Sequence, residues 1–269
     1  MNEIKYPEGF VPLDIFISSI GKERITDRIE GSNRNINYGS VYSDRDLELS
    51  VLLKAHDTQD YRLLRDEVYA LFNEHDLFYV VEKYQRGKRY LVSVDEKYIP
   101  DRMTRRHATA TINCSMPELP FAESIGTTAD ITGNVLKYSD ELWSYGMGLL
   151  YDEESHKYIH AGTKFRIYNA GNVAVHPFEQ YLKINIPTIF SSENYFELIN
   201  KTTGDVFRVN EGMNTRSIEI DGPNVKIDGF QALRKTNRQF ISLAPGWNEF
   251  EVKGAGSARV EFDFRYYYK

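Results

Sequence analysis

The chain has 269 residues, 41% of them hydrophobic, enough to bury an ample core without disulfide staples, and about two domains is the expectation from length. Its 33 basic and 39 acidic residues are well mixed and leave a net charge of −6, which argues against the broad basic face of a nucleic-acid or anionic-lipid binder. Cys114, the single cysteine, has no internal disulfide partner; residues 1–10 lack a signal-peptide apolar run, and no window approaches the ~18 apolar residues of a membrane span, so cytoplasmic synthesis without a signal peptide is expected.

Aromatic residues, 13% with 19 Tyr and 15 Phe, suit β packing and broad contact surfaces. In chain order, residues 16–20 form an apolar strand and Gly21 turns the chain into a second at 25–29. The run Gly31-Ser32-Asn33-Arg34-Asn35 is turn chemistry, rich in residues that tolerate positive φ. In residues 42–53, Leu47, Leu49, Val51 and Leu53 alternate with Asp46, Glu48 and Ser50, the period of a half-buried strand.

The 3.6-residue period then appears once, at residues 58–74, where Tyr61, Leu64, Val68, Leu71 and Phe72 fall on one stripe. Asp57 or Thr58 is its N-cap, and Asp60 sits in the first turn where the helix dipole favours an anion. Residues 78–83 and 89–94 flank a hairpin at Tyr84-Gln85-Arg86-Gly87-Lys88, with Gly87 expected to supply a positive φ. Residues 103–115 read as a strand with Ala108, Ala110, Ile112 and Cys114 on one face, which makes Cys114 a small buried residue rather than a reactive thiol.

Pro117, Pro120, Gly126, Thr127 and Thr128 interrupt both periods, so residues 116–133 are the expected linker. Beyond it, short strands at 164–168, 181–186, 195–200, 206–210, 217–221, 224–228, 239–243, 248–253 and 259–268 have β-sandwich spacing. Ile220-Asp221-Gly222 and Ile227-Asp228-Gly229 read as hairpin turns. In the last strand Val260, Phe262, Phe264 and Tyr266 share a face. The expected fold class is therefore mainly β: an N-terminal β-barrel or sheet domain with one helix, residues 1–125, and a C-terminal β-sandwich, residues 126–269.

Catalytic signatures are weak. His156 and His160, after Asp152, Glu153 and Glu154, have a spacing that could clamp a metal, but no third ligand is fixed and the segment reads as a surface loop. Asp44, Asp46 and Glu48 could be offered as glycosidase carboxylates, yet they fall on the solvent face of an alternating strand. Nucleophile elbows, phosphate loops and His-Glu-x-x-His are absent from the sequence, so no enzyme, cofactor or metal is expected. Trp247 beside Pro245-Gly246 is a candidate glycan platform or, alternatively, a core residue closing the sandwich.

Three stretches carry a resemblance: Ile29-Glu30-Gly31-Ser32-Asn33 leading to Tyr42-Ser43-Asp44-Arg45-Asp46-Leu47; the helix with Tyr90-Leu91-Val92-Ser93-Val94; and Leu243-Ala244-Pro245-Gly246-Trp247-Asn248 with its aromatic final strand. Together they resemble the distal tail proteins, baseplate hub components of long-tailed, non-contractile phages of Gram-positive hosts. Residues 133–175 are the least similar stretch and read as an insertion or loop. The resemblance implies a galectin-like or carbohydrate-binding-module-like sandwich and an N-terminal domain that closes a homohexameric ring at the virion tail tip. It implies as partners the tail tube, the tail-associated lysin or tip protein and a receptor-binding protein, with no membrane or specific nucleic acid. It places Asn33, Tyr42, Arg45, Arg86 and Arg89 near subunit or partner contacts. The alternative is a cell-wall carbohydrate-binding module used in adsorption, with Trp247 on the sugar.

Overall fold

A computed structural model describes residues 4–31, 33–131, 142–191 and 193–269. Ser32 of the expected turn, the last two residues of the expected linker and residues 133–141 of the expected insertion lie outside that set. The chain divides into two compact units, residues 1–82, 90–121 and 269, and residues 83–89 with 122–268.

In the first unit, β1 (Phe10–Ile17), β2 (Lys22–Arg28), β3 (Asn35–Tyr42) and β4 (Asp46–Lys54) precede α1 (Thr58–Glu74). They are followed by β5 (Phe78–Val80), β6 (Lys88–Val92), of which residues 88 and 89 belong to the second unit, β7 (Asp101–Arg102) and β8 (His107–Ser115). The main sheet has the order β1-β4-β8-β7, and β4 and β8 pair without a break from Asp46↔Ser115 to Lys54↔His107. This sheet is open among the described residues, so the sheet form of the expected fold is the one realised and not the closed barrel. The edges explain why: β7 is only two residues long, and β1 carries Pro12, which cannot donate to a further ladder, beside a bulge.

The predicted alternation is realised in side-chain burial. Leu47, Val51 and Leu53 of β4 lie against Ala108, Ala110, Ile112 and Cys114 of β8, all buried, with Leu49 half-buried. Burial drives the Cys114 thiol up to about 12, so it stays a protonated packing group at neutral pH. Helix α1 has the predicted limits and buries Tyr61, Leu64 and Val68. Phe72 completes the stripe with ring contacts to Phe10, Phe78 and Tyr98 at 5.7–6.3 Å. The carboxylate of Asp57 caps the helix by accepting from the N–H groups of Gln59 and Asp60 at 2.7 and 2.9 Å. Gly9, at φ +92°, is fixed by close approach, since a Cβ there would lie 2.2 Å from the Lys54 carbonyl.

In the second unit, β9 (Ala122–Ser124) and α2 (Thr128–Ile131) precede the sandwich. The sandwich strands are β10 (Ile159–Gly162), β11 (Lys164–Asn169), β12 (Leu182–Phe190), β13 (Phe196–Asn200), β14 (Asp205–Val209), β15 (Ile218–Asp221), β16 (Asn224–Ile227) and β17 (Phe230–Gln231). β18 (Gly246–Lys253), β19 (Ser257–Phe264) and β20 (Tyr267–Tyr268) complete the chain. Two sheets, β10-β19-β12-β15-β16-β17 and β11-β18-β13-β14, face each other across Phe262, whose ring lies 4.9 Å from Phe250 and 6.2 Å from Phe165. The Asp228-Gly229 turn joining β16 to β17 has positive φ at both positions, 53° and 82°, as a type I′ hairpin requires.

Several local expectations give way to tertiary pairing. The interrupted segment read as a linker is folded into the second unit from Ala122 onward. Ser124 and Thr128 are fully buried, and their hydroxyls accept from the N–H groups of Tyr266 and Phe264. They thereby satisfy the backbone where the predicted last strand breaks; β19 stops at Phe264, and Tyr267–Tyr268 pairs with β9 instead. Residues 142–175 are integral, because they supply β10 and β11, one strand to each sheet. Residues 239–243 do not form a strand. Ser242 is held by Asp205 and Asn200 through side-chain bonds, and only Leu243 pairs, with Val175. Gly87 is not in the positive-φ region; it is required because a Cβ would lie 2.4 Å from Met147 Sδ and 2.7 Å from Ser144 N.

Removing the buried isobutyl group in Leu64→Ala should lower the stability of the first unit by about 2–4 kcal/mol in denaturant titrations. Leu64→Asp should abolish its unfolding transition while that of the sandwich persists, because an unpaired carboxylate is forced into core. In the second unit, burial raises the Asp205 carboxyl, but bonds from Ser242 and Thr203 outweigh it and hold it below its ordinary value. With the folded value depressed, this stabilisation is full above the unfolded carboxylate value of ~4 and is lost as pH falls through the folded one. Asp205→Asn should therefore lower the melting temperature near neutral pH, and the gap to the parent protein should shrink toward about pH 3.

Candidate assembly interface

Strands β2 and β3 leave the first unit as a two-stranded ribbon. They pair with each other from Lys22↔Tyr42 to Arg28↔Asn35, and every described residue of both strands is exposed. At the root, Ser43 N–H donates to Gly21 O at 3.0 Å and Gly21 N–H to Asp44 O at 3.4 Å, so the two ends enter side by side. An isolated ribbon is marginal in water, and among the described residues neither face rests on a core.

Register assigns side chains to its two faces. Directly opposed residues share a face, so Glu23 with Val41, Ile25 with Gly39, and Asp27 with Ile36 lie on one side. That side exposes Ile25 and Val41 at 49% each and Ile36 at 38%. The other carries Lys22, Arg24 and Arg28 with Tyr42, Ser40, Asn37 and Asn35. A bulge between Ile25 and Thr26 leaves Tyr38 as the extra residue of β3 and sharpens the local twist. The ribbon thus has an apolar face bracketed by acids and a polar, basic one.

Residue spacing marks the strand expected at residues 25–29 but not β3, and so not the ribbon. The signal was present but interrupted: Ile36 and Val41 fall out of alternation because the bulge inserts one residue between them.

The residues expected near contacts have different fates. Asn33 is exposed in the ribbon turn. Tyr42, at the root, meets Phe121 edge-on at 5.4 Å and lies beneath the ammonium groups of Lys269 at 4.8 Å and Lys22 at 5.5 Å. Hydrogen bonding with Lys269 lowers its phenol below the ordinary value. Arg45 is buried: Nε donates to Ser18 O at 2.9 Å, the guanidinium sits 5.4 Å over Tyr90, and Nη1 has no partner. Burial lowers its basicity, and its position braces the ribbon root instead of presenting a charge.

In the second unit Arg86 is exposed and Arg89 is buried in an ion pair with Glu123 at 2.6 Å. Trp247 is half-buried, with the Arg166 guanidinium 4.1 Å over its ring and Tyr168 5.1 Å away. Arg166 is itself held bidentately by Glu154. His160 stacks on Phe165 at 4.8 Å, and its Nε2 lies 2.9 Å from Lys157 O. Burial lowers the basicity of both His156 and His160, and among the described residues no group of three or more His, Cys, Asp or Glu is placed to hold a metal. The turn before Trp247 is braced by fully buried Asn248, whose amide exchanges bonds with both the N–H and the carbonyl of Ala244 at 2.8 Å.

Residues 9–115 match the family described as phage tail protein RIFT-related domain. No curated protein matches the chain by sequence. Among solved structures, the chain is similar to the SPP1 Dit (gp 19.1) protein, described as a paradigm of the hub adsorption apparatus in phages infecting Gram-positive hosts. The TM-score is 0.65 at 12% identity, over 96% of this chain and 94% of that one. A chain of the phage p2 baseplate in its activated conformation with Sr matches at TM-score 0.39 and 8% identity, over 96% and 90%. Residues 9–115 thus match a phage tail protein RIFT-related domain, and the chain is similar in fold to the SPP1 Dit protein.

Proposed function

We propose that this chain is the structural hub of a siphophage tail tip, assembling as a closed homohexameric ring between the tail tube and the tail-associated lysin or tip protein. The observation that carries the reading is the ribbon: its apolar face, with Ile25, Ile36 and Val41 exposed, has no core to rest on among the described residues. A closed ring requires a heterologous contact, one surface against a different one on the neighbour, and a projecting arm provides one half of such a contact. The phage-tail domain at residues 9–115 and the fold shared with a hub protein support the same role. On this reading residues 1–125 build the ring and residues 126–269 carry the outward sandwich, available to a receptor-binding protein. The work is structural and non-enzymatic.

Wall-glycan capture at Trp247 draws less support, because Arg166 and Tyr168 already pack against the indole. Trp247→Ala is expected to destabilise the sandwich by about 1–2 kcal/mol through lost packing, measured by thermal melting, and to leave any wall binding of the folded protein unchanged.

Replacing residues 23–41 by a short Gly-Ser linker tests the ring reading, since the root hydrogen bonds already hold the two ends together. The shortened protein should keep its unfolding transitions yet remain monomeric by light scattering where the parent forms six-chain particles. A shortened protein that still forms rings would remove the ribbon from assembly.

A further inference from the structure

Resting on the ring reading, we infer that the apolar face of the β2–β3 ribbon docks on the β7–β8 turn of the neighbouring copy of this chain. The ribbon face offers Ile25, Ile36 and Val41 with Glu23 and Asp27 on the same side. A matching surface should be apolar with a basic rim. Residues 99–106 offer Ile99 at 87% exposed and Met103 at 59% exposed, with Arg105 and Arg106 both exposed; the stretch also holds one exposed acid, Asp101, so the arginines leave it net basic.

The turn is a rigid platform. Met103 and Thr104 N–H groups both donate to His107 O at 3.1 Å, and Ala55 N–H donates to Arg106 O at 2.7 Å, tying it to the end of β4. Among the described residues neither Arg105 nor Arg106 enters an ion pair, and neither do Glu23 and Asp27, so both sets of charges are available. The adjoining Arg102 is committed, with Nη2 on Thr58 Oγ1 and Arg105 O and its guanidinium 4.7 Å over Tyr61. The ribbon and the turn are different surfaces of one chain, so their pairing propagates head to tail and suits a closed ring. The apolar residues supply the attraction, and the charges fix register and partner.

The test is a charge exchange between two variants, followed by native mass spectrometry and light scattering, with circular dichroism confirming each fold. Glu23→Lys/Asp27→Lys makes both surfaces basic, and Arg105→Glu/Arg106→Glu makes both acidic. Each variant alone should lose ring assembly, with apparent affinity reduced at least about tenfold, and an equal mixture should restore rings in which the variants alternate. Assembly of either variant alone at parental affinity, or a mixture that stays dissociated, would overturn the docking assignment and leave the ring reading intact. A parent protein that remains monomeric up to its solubility limit would overturn the ring reading itself.

Discussion

The unbroken pairing of β4 with β8 is the constraint on which the first unit depends. It sets one apolar face, Leu47, Val51 and Leu53 beside Ala108, Ala110, Ile112 and Cys114, and α1 approaches the sheet through Phe72, whose ring meets that of Phe10, the β1 partner of Leu53. It also brings the turn before β8 against the end of β4 through the bond from Ala55 to Arg106. Arg45, immediately before β4, then pins the ribbon root through Ser18. Both surfaces invoked for assembly are therefore placed by one ladder, so the orientation of the ribbon base is inherited from a well-packed element.

The two units use charge differently. The sandwich joins partly exposed cations and anions into pairs, such as Lys183 with Glu219 and Arg216 with both Glu211 and Asp228. Solvent-accessible pairs of this kind add little stability individually. On the ribbon, Lys22, Arg24 and Arg28 instead line one face without ion pairs among the described residues, while acids flank the apolar face opposite. A surface that leaves its charges unpaired and its aliphatics in water gains by meeting a complementary one, and a free-standing arm suits that role better than either sheet.

Periodicity made much of the architecture legible. The helix limits, its Asp57 cap and the faces of β4 and β8 follow from residue spacing, because burial on one side imposes periods of 3.6 or 2 that a reader can count. Where spacing failed, side chains had taken over backbone pairing. Ser124 and Thr128 turned an expected linker into structure, and Asp205 and Asn200 held residues 239–243 out of a sheet. The same limit applied to the contact residues: Arg45 and Arg89 read as surface arginines, yet each is buried against a partner distant in sequence, Ser18 and Glu123.

The sequence by itself determined the β-rich class, the lone long helix, the buried thiol and the resemblance to distal tail proteins, since these rest on local pattern and composition. Only the tertiary structure decided that β2 and β3 stand apart as a ribbon and which of its faces is apolar. A bulge shifts the alternation by one residue, and exposure depends on what the rest of the chain leaves uncovered. Sequence alone could not supply that, because an aliphatic residue in a strand is written identically whether it meets its own core or awaits another copy.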